Sequence, residues 1–222
     1  MKDYNYYLFD FDGTLCDTTP GIFNSVIYSL ECFGIKETDM EKLNFFVGPP
    51  LFESYKTLYG VSDSDADWLI EKYRERYRIK AAEESTLYKG IPQLLRQLKK
   101  KGKKIAVASS KPQFFVEEIS KHWGIYEYYD FISAETFENK HSSKKELIEA
   151  CLNFFGNPPH SEVLMTGDRF YDIDGAKDAG VDSAGAVYGF GTKEELANAG
   201  ATYILYTPED LLKTEDCEEQ YR

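Results

Sequence analysis

One feature constrains this chain more than any other: short apolar runs alternate with helical patterns over most of its length. The runs are Tyr6–Phe9, Lys104–Ala108, Phe131–Ala134, Glu162–Thr166, Ala184–Tyr188 and Thr202–Leu205. Runs this short read as strands, and the spacing leaves room for a helix between most of them, so the pattern predicts βαβ units and a parallel sheet. The helix signals agree. Pro112 opens a segment that carries Phe115, Ile119 and Trp123 on one face and stops at Gly124. Ser143 and Glu146 spell a capping box ahead of Leu147, Cys151 and Phe155, with Gly156 past the end. Thr192 and Glu195 repeat the box, Gly200 closes that helix, and Thr207-Pro208 starts a last one.

One stretch breaks the alternation. From about Thr19 to Ala82 the chain reads as helices only. Pro20 starts one, with Ile22, Val26 and Leu30 on a face and Gly34 at the stop. Another begins near Ser62 and carries Leu69, Tyr73 and Tyr77. Two units are therefore expected: an α/β core from residues 1–17 and 84–222, and an inserted all-helical cap from residues 18–83.

Charge narrows the function. With 26 basic and 38 acidic side chains the formal net charge is −12. That excludes a nucleic acid polymer as partner, because phosphate contacts need clustered Lys and Arg, and it argues equally against an anionic membrane surface. No apolar run approaches a membrane span, and the short run at Tyr6–Phe9 leads straight into acids, unlike a signal peptide. Cys16, Cys32, Cys151 and Cys217 are scattered, as are His122, His141 and His160. Reduced thiols in a cytoplasmic protein are expected, and a zinc site is not.

In an open parallel sheet, ligands bind beyond the carboxyl ends of the strands. Asp10-Phe11-Asp12-Gly13 follows the first strand: two carboxylates on one side of extended chain, either a solvated turn or a site. Ser109-Ser110-Lys111 follows the second, hydroxyls that either cap a helix or hold phosphate oxygens. Lys144 stands in the first turn of the helix that Ser143 caps, where the helix dipole disfavours a cation. Gly167-Asp168-Arg169-Phe170-Tyr171-Asp172 follows the fourth; Asp174 beyond it is a first-turn acid that the dipole alone explains. Four carboxylates (Asp10, Asp12, Asp168, Asp172) converging on one crevice call for a hard cation, and Mg²⁺ suits carboxylates that also meet a substrate phosphate.

Together these motifs resemble the phosphatase branch of the haloacid dehalogenase superfamily: Asp10-x-Asp12-Gly13-Thr14-Leu15, Ser109 after an apolar strand, Lys144, and Gly167-Asp168-x-x-x-Asp172, in the family's order. Phe46-Val47-Gly48-Pro49-Pro50-Leu51, Gly175-Ala176-Lys177-x-Ala179-Gly180 and Val187-Tyr188-Gly189-Phe190-Gly191 resemble a phosphoglycolate phosphatase-like or 5′-nucleotidase-like subgroup. The resemblance implies a Rossmann-like core with helices on both faces of its sheet and a cap of the first type. It implies that Asp10 is the nucleophile and Asp12 the general acid and base. Ser109 and Lys144, with the Ser110 backbone, would bind the phosphoryl group. Asp168, with Asp10 and the Asp12 carbonyl, would hold Mg²⁺, with Asp172 bound directly or through water.

The implied substrate is a small phosphorylated metabolite: phosphoglycolate, a nucleoside monophosphate or a sugar phosphate. Thr18, Gly48, Pro49, Lys111 and Arg169 are candidate selectors of the leaving group, and each has an ordinary structural reading beside that one. Tyr55, Tyr59, Tyr73 and Tyr77 either stack on a base or fill a helix core. Two rivals remain on the same scaffold, a β-phosphoglucomutase-type phosphosugar mutase and a non-catalytic binding protein. A monomer or a homodimer is expected.

Overall fold

The computed structural model describes residues 1–48, 50–136 and 142–213. In chain order its elements are β1 (Tyr6–Phe9), β2 (Cys16–Asp17), α1 (Thr19–Cys32), α2 (Met40–Leu43), α3 (Leu51–Tyr59), α4 (Asp63–Lys80), β3 (Thr86–Leu87), α5 (Ile91–Lys100), β4 (Lys104–Pro112) and α6 (Gln113–His122). There follow β5 (Phe131–Glu135), α7 (Lys144–Phe154), β6 (Val163–Gly167), α8 (Phe170–Asp178), β7 (Asp182–Ala186), α9 (Lys193–Ala199) and β8 (Tyr203–Leu205). Two compact units result, one built from Met1–Asp17 and the chain from Leu87 onward, the other from Thr18–Thr86.

The first unit is an α/β fold with a six-stranded sheet in the order β5-β4-β1-β6-β7-β8, parallel at every pair. The opening strand is therefore central, with Phe9 opposite Val107 on one side and Thr166 on the other. Alternation sets the faces. Leu8, Ala106, Val163 and Met165 pack with Leu147, Ile148 and Cys151 of α7 and Ala176 of α8. Tyr7, Phe9, Ile105 and Val107 point the other way and are buried as well. Strands covered on both faces read as continuous apolar runs, which is why the sequence shows them so plainly.

The capping signals are realised. Ser143 accepts from Glu146 N while Glu146 reaches back to the Ser143 backbone, a complete box at the start of α7. Thr192 accepts from Glu195 N, but the Glu195 carboxylate turns away to Arg169 and the Phe170 N–H, so that box is half formed. Two local expectations change. α6 ends at His122, and Trp123, which the spacing puts on its buried face, is 38% exposed. β7 begins ahead of the apolar run, at Asp182, and ends at Ala186, because Gly189 N bonds back to Ala186 O and turns Val187 and Tyr188 into a loop.

The second unit is helical. α1 packs against α4, and α3 also packs against α4. Ile22, Val26 and Leu30 meet that interior, as do Leu69, Tyr73 and Tyr77. Tyr73 and Tyr77 stack at 5.1 Å, Tyr55 shares a 2.6 Å hydrogen bond with Ser29 Oγ, and Tyr59 donates to Glu37. These rings serve the helix core.

Candidate active site

The site begins where β1 ends. Asp10 N donates to Thr166 O at 2.9 Å, so Asp10 continues the sheet for one residue and lies beside the end of β6. The chain then folds tightly, with Leu15 N and Cys16 N both bonding to Phe11 O at 3.0 Å and Gly13 N to Cys16 O at 2.9 Å. Gly13 holds φ +79°, and a Cβ there would collide with the Asp168 carboxylate, so only glycine fits.

Asp10, Asp168 and Asp172 each offer a carboxylate oxygen, all within 4.8 Å of one another. Lys144, the first residue of α7, brings Nζ to 3.0 Å from Asp10 Oδ1 and 2.9 Å from Asp172 Oδ1. Its directed hydrogen bond goes to Ala108 O at 2.9 Å, and the two buried Oδ1 atoms accept none, so they stand at ion-pair distance only. One ammonium thus meets two of the three carboxylates. Burial works to lower the Lys144 ammonium, but Asp10 and Asp172 outweigh it and hold it above the usual lysine range. Burial, then the negative charge of Asp172 and Asp10, raises Asp168 well above the carboxylate range. Burial raises Asp172 to about 6, with Asp10 adding to the rise and Lys144 opposing it.

At an effective dielectric near 20, like unit charges ~4 Å apart repel by roughly 4 kcal/mol. A cluster with that excess needs a cation. The donor set is all oxygen, and two of its buried atoms have no directed donor, so a hard divalent ion fits it. Asp10, Asp168 and Asp172 would hold that ion, which would supply charge neutralisation to a phosphate dianion.

Asp12 stands apart from this trio. Its Oδ2 lies 3.0 Å from Lys111 Nζ, and the Lys111 side chain is 5% exposed. Ser109 is buried, and its Oγ accepts from Lys111 N at 3.3 Å, whereas Ser110 is exposed. Arg169 pairs with Glu195 at 2.9 Å. Thr18 is buried and precedes α1. Gly48 is exposed at φ +103°, and Pro49 lies outside the described residues.

Sequence reasoning missed what holds Asp168. Thr14 Oγ1 donates to its Oδ1 at 3.0 Å, and Phe190 N to its Oδ2 at 2.9 Å. Tyr188 adds a hydrogen bond to Thr14 O at 3.2 Å. A Cβ at Gly189 would collide with Gly13 O and with Asp168. The glycines around Phe190 were the available signal, since a backbone that must approach a buried carboxylate closely cannot carry side chains there. The Lys111–Asp12 pair left no mark in the spacing.

Known proteins share this family and fold. The family described as haloacid dehalogenase-like hydrolase matches residues 7–186. A 5′-nucleotidase of Pseudomonas aeruginosa is 38% identical over 193 residues, 87% of each chain. The tyrosine-protein kinase PtkA of Mycobacterium tuberculosis is 29% identical over 90% of this chain and 67% of its own length. A Clostridium difficile protein assigned as a phosphatase superposes with a TM-score of 0.88 at 38% identity, over 100% of both chains. With the strand-end carboxylates, the parallel sheet and these relatives in agreement, the chain belongs to the haloacid dehalogenase-like hydrolases, and within them to the phosphatases.

Proposed function

We propose that the chain is a Mg²⁺-dependent phosphomonoester hydrolase that acts on a small phosphorylated metabolite through an aspartyl-phosphate on Asp10. The observation that carries this reading is the Asp10–Asp168–Asp172 trio with the Lys144 ammonium against two of its members.

In this reading an Asp10 carboxylate oxygen bonds to phosphorus as the ester P–O bond breaks. Asp12 gives its proton to the departing oxygen. Asp12 then takes a proton from a water whose oxygen attacks phosphorus, the bond from phosphorus to Asp10 breaks, and inorganic phosphate leaves. Ser109 and the Ser110 N–H hold phosphoryl oxygens, and Lys144 offsets their charge, which is the main task in phosphoryl transfer. Mg²⁺ adds charge neutralisation when Asp10, Asp168 and Asp172 hold it, together with the Asp12 carbonyl.

The helical unit, inserted directly after the Asp10 and Asp12 turn, supports a cap that selects the leaving group, with Thr18, Gly48 and Pro49 as its candidate contacts. The name of the Pseudomonas relative puts nucleoside monophosphates first among the substrates, ahead of phosphoglycolate and sugar phosphates. A cytoplasmic location accords with three free cysteines among the described residues, and no described helix is long and apolar enough to cross a membrane.

The test is phosphate release from a panel of phosphorylated metabolites with and without Mg²⁺, beside the Asp10→Asn variant. Activity that requires the metal and vanishes in Asp10→Asn is expected. Wild-type turnover by that variant would overturn the nucleophile.

A further inference from the structure

We propose that Glu195 is a positioning residue for the metal: from α9 its carboxylate ties down the Arg169-Phe170 link and so fixes how Asp172 stands relative to Asp168. The inference rests on the reading that Asp10, Asp168 and Asp172 hold Mg²⁺.

Asp168 follows directly on β6, and Asp172 lies in the first turn of α8. Their separation is therefore set by how α8 leaves the sheet, which Arg169, Phe170 and Tyr171 decide. Asp168 is fixed on its own account by Thr14 Oγ1 and Phe190 N. Asp172 gives its Oδ2 to Arg169 N at 3.1 Å, which leaves the buried Oδ1 turned to Lys144. That bond only ties Asp172 to its own link. Something outside the link must anchor it.

Glu195 is that anchor. Phe170 N is the first N–H of α8, a group with no acceptor inside its own helix. Glu195 Oε1 accepts it at 3.1 Å, and the same oxygen accepts Arg169 Nε at 2.9 Å. A glutamate three residues after a threonine cap can close a box on that cap locally. Glu195 instead serves a backbone N–H 25 residues away in the chain. The loop ahead of it is built for the same approach, since a Cβ at Gly191 would collide with Asp168 O. The segment from Gly189 to Glu195 thus braces both ends of the link: Phe190 N holds the Asp168 side chain, and Glu195 holds the start of the helix that carries Asp172.

A half-exposed Glu–Arg ion pair that served stability alone would leave the metal affinity of the folded protein untouched. Positioning predicts otherwise. The experiment measures the Mg²⁺ dissociation constant by displacement of Mn²⁺, followed by paramagnetic resonance, in the wild type, Glu195→Ala, Glu195→Gln and Glu195→Asp. Circular dichroism checks that each is folded. Glu195→Ala is expected to bind Mg²⁺ about tenfold more weakly or worse, the scale of lost support around a metal ligand. Glu195→Gln gives up the ion pair but keeps an oxygen that can accept both N–H groups, so it should recover most of that loss.

Wild-type affinity in Glu195→Ala, or a Glu195→Gln as weak as Glu195→Ala, would overturn the role of Glu195 while the wild type still binds the metal. No Mg²⁺ binding by the wild type would overturn the metal reading itself, and this inference with it. Should Glu195→Ala fail to fold, Glu195→Asp decides, because it draws the carboxylate one methylene back from Phe170 N. Its affinity should fall by about tenfold, and wild-type affinity there would count against the anchor.

Discussion

Lys144 Nζ stands 3.0 Å from Asp10 Oδ1, a buried ammonium against the carboxylate at the end of the central strand. Removing it leaves three crowded carboxylates with no cation. Lys144→Met should lose at least ~10³-fold in kcat, as for a lost electrostatic stabiliser of the transition state. In EDTA it should also lose about 3–5 kcal/mol of stability, the cost of stranding buried charge. Urea unfolding with and without Mg²⁺ checks the second part, and Mg²⁺ should restore part of the loss.

A cation that binds the folded trio stabilises the fold by mass action. After EDTA treatment, Mg²⁺ at 100 times its dissociation constant should add about 2.7 kcal/mol. For a chain of this size that corresponds to a rise in Tm of roughly 5–11 °C. Differential scanning fluorimetry reads it, and Asp168→Asn should abolish the response.

The loop that grips Asp168 is open to a steric test. Gly189→Ala puts a methyl group where Gly13 O and Asp168 already stand. The expected outcome is a Mg²⁺ dissociation constant raised by about tenfold or more, on the scale of lost support around a metal ligand. Displacement of Mn²⁺ by Mg²⁺, followed by paramagnetic resonance, measures it without reference to turnover.

Away from the site, Asp130 provides a pH signature. Burial would raise its carboxyl, but Lys99 at 2.8 Å and the Ile105 N–H at 2.9 Å outweigh burial and hold it below the usual carboxylate range. A lowered folded value means stability that is present above the unfolded value and lost as pH falls through the folded one. Asp130→Asn should cost about 1–2 kcal/mol at pH 7, allowing for solvent screening. The gap to the wild type should close below about pH 4, as thermal melts across that range would show.

The core was legible because it is simple physics written locally. Strands buried on both faces show as apolar runs, and Ser143 with Glu146 is a helix start in sequence and in space. Acids at strand ends were legible because topology sends every strand end of a parallel sheet to the same side. What escaped depended on long-range fit. The diversion of Glu195 to Arg169 was invisible because a capping box and an ion pair use the same residue. The pairing of Lys111 with Asp12 depends on a register irregularity against β5, which no periodicity records. The tyrosines of the helical unit were ambiguous because stacking on a ligand and stacking on each other demand the same spacing.

The place of β1 in the sheet has a consequence for how the molecule comes into being. The strand that leads into Asp10 is made before both of its partners, Lys104–Val107 and Val163–Thr166, so both of its edges wait for chain that comes much later. Pairings that distant in sequence are slow, and an unpaired apolar Tyr-Tyr-Leu-Phe segment is exposed to wrong partners while it waits. The trio cannot exist until β6 docks, because Asp168 follows directly on that strand. Activity should therefore emerge late in refolding and abruptly, with no half-built species able to bind a metal or touch a phosphate ester.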